Sequence, residues 1–370
     1  MKTLSKILIL IVLAMMAYGA IMVFTASGTY SATKFNNIYT LFKSHLWKVF
    51  AAIFFMIVAS KVPYEYYRKY SKPMMIGIII VLIATLIFAP KVKGASRWID
   101  FGFFQFQPSE AAKVFLLIHL AVMMEKMGDK ITDFKQGLLF PLIWVGAIAF
   151  LIVLQPNIST SAIVVLISFT ILYIGGARFK HLFFIVGGAF AAGGSAAMLF
   201  THSRERILTF IKSLVDGSDI NMQVKQAKIA LGSGGWFGVG MGHSRQSDLF
   251  LPESYGDFIF SILGEEAGVI GAIVVLFIYL IVFALCLLIA KRVTNKFGQL
   301  LVIGLGFNII ISAFINAGVV TGMLPTTGIT LPFISFGGTS IILFGISIGI
   351  ILNVANQTIK TEDLRVAQTS

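Results

Sequence analysis

The sequence predicts an all-α integral membrane fold, a single polytopic bundle of about ten transmembrane helices over residues 1–370. Three observations predict it. Hydrophobic residues make up 57% of the chain and charged residues 12%, with a mean hydropathy of +0.91, whereas a soluble domain carries about 25% charged residues. Apolar runs recur at the roughly 20-residue length that crosses a hydrocarbon core. The Lys and Arg residues behind the net charge of +13 sit in short clusters between those runs, as membrane orientation requires. A water-soluble fold is excluded, and no nucleic-acid partner is expected.

The first run, residues 7–25, follows Lys2 and Lys6. It could mimic a signal peptide, but it is long and lacks a clear small-residue cleavage pattern, so it reads as a transmembrane helix with a cytoplasmic N-terminus. The runs at 46–61 and 73–90 flank a basic segment with Arg68, Lys69 and Lys72. The fourth, 108–124, opens on Pro108, which suits the first turn of a helix. Runs at 137–154 and 158–175 follow, and Arg178 and Lys180 precede the seventh, 182–200. After a long interval come 266–290, 298–322 and 336–355, with Lys291, Arg292 and Lys296 between the first two of these. Each run is too long for one strand, and backbone satisfaction in lipid requires helices. Ten spans return the C-terminus to the cytoplasm, with 357–370 expected as a short flexible tail.

On this topology the segments 62–72, 125–136, 176–181 and 291–297 are cytoplasmic and basic, and 26–44, 91–107, 201–257 and 323–335 are extracytoplasmic. The loop of about 201–257 is much the longest, and loops of that kind usually carry function. It holds an apolar-patterned stretch, Met222 to Leu231, a glycine-rich turn, Gly232 to Gly242, and an aromatic-acidic run from Leu249 to Phe260. Lys91, Lys93, Arg97, Arg204, Arg206, Lys212, Lys225, Lys228 and Arg245 lie on the same face, which an anionic partner would explain. Cys286 is the only cysteine and lies in an apolar run, so disulfides within the chain are excluded.

Asp257 reads two ways. An acid at membrane depth is functional by default, yet an aspartate just before Phe258 could equally N-cap the next helix. Glu265 and Glu266 read as structural, paired with basic residues near the outer surface. Glu110 and Lys113 share a helix face at i, i+3. They are either an ion pair that lets two charges share an apolar helix, or a site in which Arg97 and Lys113 face a phosphate and Glu110 orients Lys113. The glycines of 232–242 match neither a dinucleotide fingerprint nor a P-loop and read as tight packing. Gly337 and Gly338 read as allowing close helix contact. His45, His119, His181, His202 and His243 lack zinc-ligand spacing, so no protein-built metal site is expected.

Several of these segments together resemble the shape, elongation, division and sporulation (SEDS) family, whose members FtsW and RodA polymerise peptidoglycan strands. The matching elements are KGASRWIDFG and QPSEAAK (93–102, 107–113), QPN (155–157), GSGGWFGVGMG (232–242), LPESYGDFIFSILGEEAG (251–268) and GMLPTTGITLPFISFGGTS (322–340), in the family's order over nearly the whole chain. Ser244 to Gln246 and the LPTTG of Leu324 to Gly328 are closer to division-type FtsW.

The resemblance implies a glycosyltransferase that joins units of lipid II with release of undecaprenyl pyrophosphate, in cell division or cell elongation. Asp257 would be the catalytic base, and Arg97, Glu110, Lys113, Gln155, Gln223 and Gln226 would bind substrate. It implies a class B penicillin-binding transpeptidase as partner, along with other membrane proteins of the division or elongation machinery. The location implied is the bacterial cytoplasmic membrane, with the active site on the extracytoplasmic face. A divalent cation (Mg or Mn) could screen the pyrophosphate, although the chain offers no dedicated site. Two departures stand out. Asn157 replaces the usual aspartate of a QPD motif, and Tyr255-Gly256 replaces a common His-Thr before the catalytic aspartate. The rival readings are a lipid II flippase, which would place its site nearer the midplane, and a non-catalytic membrane scaffold.

Overall fold

The computed structural model describes residues 1–90, 96–102, 104–216, 221–248 and 250–369; the side chains of 201, 202, 214, 216 and 360–369 are outside that description. Lys91, the Lys93, Gly94 and Ala95 of the first motif, Leu249 and the side chain of His202 therefore lie outside the described residues.

Among the described residues the chain is almost wholly helical. Helices α1 (Lys2–Phe35), α2 (Thr40–Lys61) and α3 (Tyr64–Phe88) precede a small antiparallel ribbon, β1 (Ile99–Asp100) with β2 (Gln105–Phe106). Then come α4 (Pro108–Met127), a 3₁₀ turn (Gly128–Thr132), a π-helical turn (Phe134–Leu138), α5 (Leu139–Leu154), α6 (Ile158–Ile174) and α7 (Phe179–Leu199). The long interval folds into α8 (Thr201–Asp216) and α9 (Met222–Ser233). It leads to α10 (Ile259–Arg292), α11 (Lys296–Val320) and α12 (Thr339–Thr369).

Each of the ten expected spans falls on one helix. Eight of the ten are long and apolar enough to cross a bilayer by length and composition alone. The other two depart for local reasons. Helix α6 has 17 residues, which at 1.5 Å per residue gives about 26 Å, just short of the hydrocarbon thickness. Helix α4 carries Glu110, Lys113, Glu125 and Lys126, yet it is buried on nearly every side. Its charges can be accommodated because protein rather than lipid surrounds it.

Helices α4, α11 and α12 form the enclosed centre, with α7 at the periphery, where only Leu182 and Ala197 are buried. Helix α12 packs most extensively on α2. A Cβ on Gly345 would stand 2.7 Å from Ala52 O, and one on Gly349 2.3 Å from Met56 O, so this small-xxx-small pair sets the approach of the two helices. The close contact expected of Gly337 and Gly338 is thus made two turns later. Gly337 accommodates the Ser340 side chain, and Gly338 lies beside Gln105 O of the ribbon. The segment expected as a flexible tail also differs, since its backbone continues α12 to Thr369.

Helix α10 starts earlier than its expected span and breaks at Gly268 (φ 71°, ψ −177°), a conformation open to glycine. The break meets the glycine-rich turn. Val269 N and Ile270 N donate to Gly235 O and Trp236 O, while Val239 N and Gly240 N donate to Glu265 O and Glu266 O. The turn therefore supplies partners for backbone groups at the broken helix. Backbones must approach closely for this. A Cβ on Gly234 or Gly238 would fall 2.1 Å from the carbonyl of Gly264 or Glu266.

Glu265 and Glu266 have a different role from the one expected of them. No basic side chain pairs with them among the described residues. Glu265 accepts from the hydroxyls of Ser233 and Ser244 and from the backbone N–H groups of Arg245 and Gln246. Glu266 accepts from Gly242 N and Thr25 Oγ1, each at 3.0 Å. Two buried carboxylates thus fasten the 242–246 segment to α10 and α1 through charge-assisted hydrogen bonds.

Candidate active site

A polar cavity of about 900 Å³ opens at the end of the bundle that carries the long loop. Its wall brings together Arg97, Glu110, Lys113, Gln223 and Asp257, which are far apart in the chain. It also contains Lys48, Asn157, Arg206 and Glu253.

Asp257 is half-buried and precedes α10, whose N-cap is Phe258 and carries no side-chain capping bond. The capping explanation for the acid is therefore removed. The peptide that carries it is held from three directions. Asn316 Nδ2 donates to Asp257 O at 2.7 Å and to Ile329 O at 2.7 Å. Ser335 Oγ donates to Gly256 O at 2.8 Å, and Phe336 N to Tyr255 O at 2.9 Å. The carboxylate lies over the Gly328 turn, where a Cβ would stand 3.4 Å from Oδ2 and where φ is +74°.

Tyr255, at the first of the two departures before the aspartate, packs its ring between Tyr30 and Phe336, with centroids 5.4 and 5.5 Å away. Burial, then the neighbouring charge of Glu253, push its phenol above the usual tyrosine range, so it stays neutral.

Pro108 occupies the first turn of α4 as expected, and Lys113 Nζ lies 2.8 Å from Glu110 Oε1 with the lysine almost fully buried. The ribbon is tied to α12 by Thr339, whose hydroxyl accepts from Gln107 N and donates to Gln105 O. Arg97, just before the ribbon, donates from Nε to Gln155 O at 3.0 Å and from Nη2 to Pro156 O. Burial and then the like charge of Arg206 lower its pKa to about 10, so it remains a cation at neutral pH.

The glutamines separate. Gln155 lines neither this cavity nor its neighbour; its side chain donates to Leu82 O at 3.1 Å, and its contribution is the carbonyl that holds Arg97. Gln223 faces the cavity from the first turn of α9, next to its cap Asn221. Gln226 does not line it, and its amide is directed at Met222 Sδ. Asn157 lines the cavity wall and donates to Ser109 Oγ at 3.4 Å.

Arg206 was not singled out by the sequence. It lies on α8, donates to Thr326 O at 3.2 Å and faces both the negative charge of Asp257 and the positive charge of Arg97. Burial lowers its pKa, and Asp257 pulls it back up. In sequence it is one of several cations in the long loop. Only the amphipathic pattern of α8, one face polar and one apolar, offered a signal for which of them turns inward.

A second cavity, about 520 Å³ and mainly apolar, adjoins the first between α6, α7, α8, α11 and the 324–329 segment. The two share Arg97, Asn157, Arg206, Thr326, Thr327 and Ile329. A polar chamber and an apolar one thus meet at a wall that carries two guanidinium groups. No group of three or more His, Cys, Asp or Glu is arranged to hold a metal among the described residues.

The family model for FtsW, RodA and SpoVE, described as "Cell cycle protein", matches residues 5–360. The chain belongs to this family. A probable peptidoglycan glycosyltransferase FtsW of Geobacter sp. (strain M18) is 33% identical over 359 residues, covering 95% of this chain and 97% of that protein. Stage V sporulation protein E of Bacillus subtilis (strain 168) is 33% identical over 356 residues, covering 94% and 96%. Among solved structures, a chain of a peptidoglycan synthase complex aligns with a TM-score of 0.77 at 22% identity, over 95% of this chain and 97% of that one. The crystal structure of Thermus thermophilus rod shape determining protein RodA aligns with a TM-score of 0.71 at 21% identity, over 95% and 96%. The fold is therefore that of the FtsW/RodA/SpoVE family over almost its full length, and the chain is a multi-pass integral membrane protein.

Proposed function

We propose that this chain is a peptidoglycan glycosyltransferase that polymerises lipid II into glycan strands with release of undecaprenyl pyrophosphate. One observation carries the reading: the carboxylate of Asp257 lies in a polar cavity that shares a cationic wall with an apolar cavity. A substrate with a sugar, a diphosphate and a prenyl chain needs those three environments in that order. The names of the Geobacter and other FtsW relatives support the same activity.

In this reading Asp257 accepts the proton of the acceptor sugar hydroxyl as that oxygen attacks the donor's anomeric carbon. The bond from that carbon to the diphosphate breaks, and the charge grows on the departing diphosphate. Arg206 and the remaining N–H donors of Arg97 meet that charge, and preorganised cations contribute most at such a point. The Glu110–Lys113 pair adds an oriented ammonium, and Gln223 contacts sugar or phosphate. The apolar cavity takes a prenyl chain. A divalent cation, Mg or Mn, is proposed to travel with the diphosphate and screen it, so EDTA would slow turnover by acting on the substrate complex while leaving the melting temperature of the protein unchanged.

The site would face the extracytoplasmic side of a bacterial cytoplasmic membrane, with both termini in the cytoplasm. The basic segments at Arg68 to Lys72, Lys126 to Lys135, Arg178 to Lys180 and Lys291 to Lys296, at the opposite ends of the helices, support this orientation. A class B penicillin-binding transpeptidase is the proposed partner, in keeping with a fold neighbour that comes from a complex coordinating polymerization and crosslinking.

The test is polymerisation of lipid II by the purified full chain with its partner in detergent. Asp257→Ala should abolish glycan polymer while leaving the melting temperature unchanged. Normal polymerisation by that variant would refute the catalytic assignment. Failure of the unmodified protein to polymerise, together with lipid II translocation in vesicles, would favour transport instead.

A further inference from the structure

Lys48 lies on α2, one turn beyond Ser44, and both residues line the polar cavity. The lysine is 9% exposed, and its ammonium sits 3.8 Å from the centroid of the Phe336 ring. Among the described residues no carboxylate lies within ion-pairing distance of it. Three residues earlier, His45 is fully buried near the same ring, and neither of its ring nitrogens has a partner.

The other cations of the cavity among the described residues are compensated. Lys113 is paired with Glu110 at 2.8 Å, Arg97 donates to two backbone carbonyls, and Arg206 donates to Thr326 O and faces Asp257. A buried cation without a carboxylate partner is costly, and an aromatic face offsets only part of the cost. Lys48 also lies apart from the shared wall. The apolar cavity is bordered by Arg97 and Arg206 but not by Lys48, whose cavity neighbours include Phe35 and Leu41 on the α1–α2 side.

We propose that Lys48 binds the diphosphate of the second lipid-linked substrate, the one whose prenyl chain is not in the apolar cavity. This rests on the polymerase reading. Joining two lipid-linked units brings two diphosphates into one chamber, and a single cationic wall serves only one of them. Lys48, which borders the polar cavity alone, supplies the counter-charge for the other. Phe336 keeps its ammonium in place, and the same ring packs on Tyr255, two residues before the base.

The experiment measures lipid II binding to the full chain in nanodiscs. All proteins carry Asp257→Ala so that no turnover occurs, and the discs contain phosphatidylcholine alone or with phosphatidylglycerol. Lys48→Met should weaken one class of lipid II site by about tenfold or more, the loss expected for one charge-assisted contact, and leave the other class unchanged. Lys48→Arg should retain both classes. Arg206→Met should weaken the class that Lys48→Met spares.

The melting temperature separates binding from a structural role. Removing an uncompensated buried cation should leave it unchanged or raise it, whereas a structural ammonium would make Lys48→Met melt lower. An unchanged lipid II isotherm in phosphatidylcholine discs would overturn the proposal. So would a change confined to phosphatidylglycerol discs, which would make the ligand a phospholipid headgroup. If the unmodified protein made no polymer from lipid II, the polymerase assignment would fail while the binding result for Lys48 stood on its own; polymer made by the Asp257→Ala protein would refute only the catalytic role of Asp257.

Discussion

Asp257 is held at its carbonyl and at the two peptides before it by Asn316, Ser335 and Phe336. Asn316 is 1% exposed and bridges Asp257 O to Ile329 O, so Asn316→Ala leaves two carbonyls without that donor. We expect a loss of about 1–3 kcal/mol of stability. Under the proposed function kcat should fall at least tenfold while KM changes little, because substrate contacts remain and the base is displaced. Thermal melting with steady-state polymerisation checks both. The two glutamines of α9 give a second contrast. Gln223→Ala should raise KM several-fold, and Gln226→Ala should be nearly neutral, because only the first lines the cavity. At this scale the sequence was legible where a residue was chemically out of place. Asp257 before an apolar run, and Glu110 with Lys113 inside one, were visible at once. Arg206 was hidden among like cations, and Lys48 inside a span. Gln155 was assigned by motif, but its side chain turns toward Leu82, a direction that residue type does not encode.

Among the elements, the glycine-rich turn and the broken start of α10 act as one unit. Each supplies what the other lacks: free amides beyond Gly268, free carbonyls before it, and a turn slim enough to reach both. Gly238→Ala puts a Cβ 2.1 Å from Glu266 O at a backbone φ of +81°, so the turn must lift away. A destabilisation of about 2–4 kcal/mol is expected, measurable as a lower melting temperature and faster amide exchange at Val239 and Val269. Gly232→Ala has open space around its Cβ and should cost no more than about 1 kcal/mol. The sequence showed that these glycines were for packing. It did not show the partner, because a break inside an apolar helix leaves its hydropathy unchanged.

For the molecule as a whole, hydropathy placed ten apolar runs on helices, eight of them long and apolar enough to cross a bilayer, because lipid imposes length and backbone satisfaction on a span. Which helix packs on which was not legible, since lipid and helix neighbour are equally apolar. Gly345 and Gly349 against α2 resolve that question only when the partner is known. The two cavities arise from this arrangement, and neither is local in sequence. Gly193 borders the apolar cavity with nothing within 4 Å of its would-be Cβ, so Gly193→Phe should fold normally and occupy that space. Polymerisation should then show a KM raised more for the full-length prenyl substrate than for a short-chain analogue. Equal effects on both would remove the prenyl chain from that cavity.

The shared wall has a consequence for the timing of repeated synthesis. Arg97, Asn157 and Arg206 border both chambers, so under the proposed function a carrier lipid that has given up its sugar occupies the berth needed by the next donor. The next donor can then enter only after that carrier has left. Departure of the spent carrier is then a required step of every cycle, and its rate sets a ceiling on repeated synthesis.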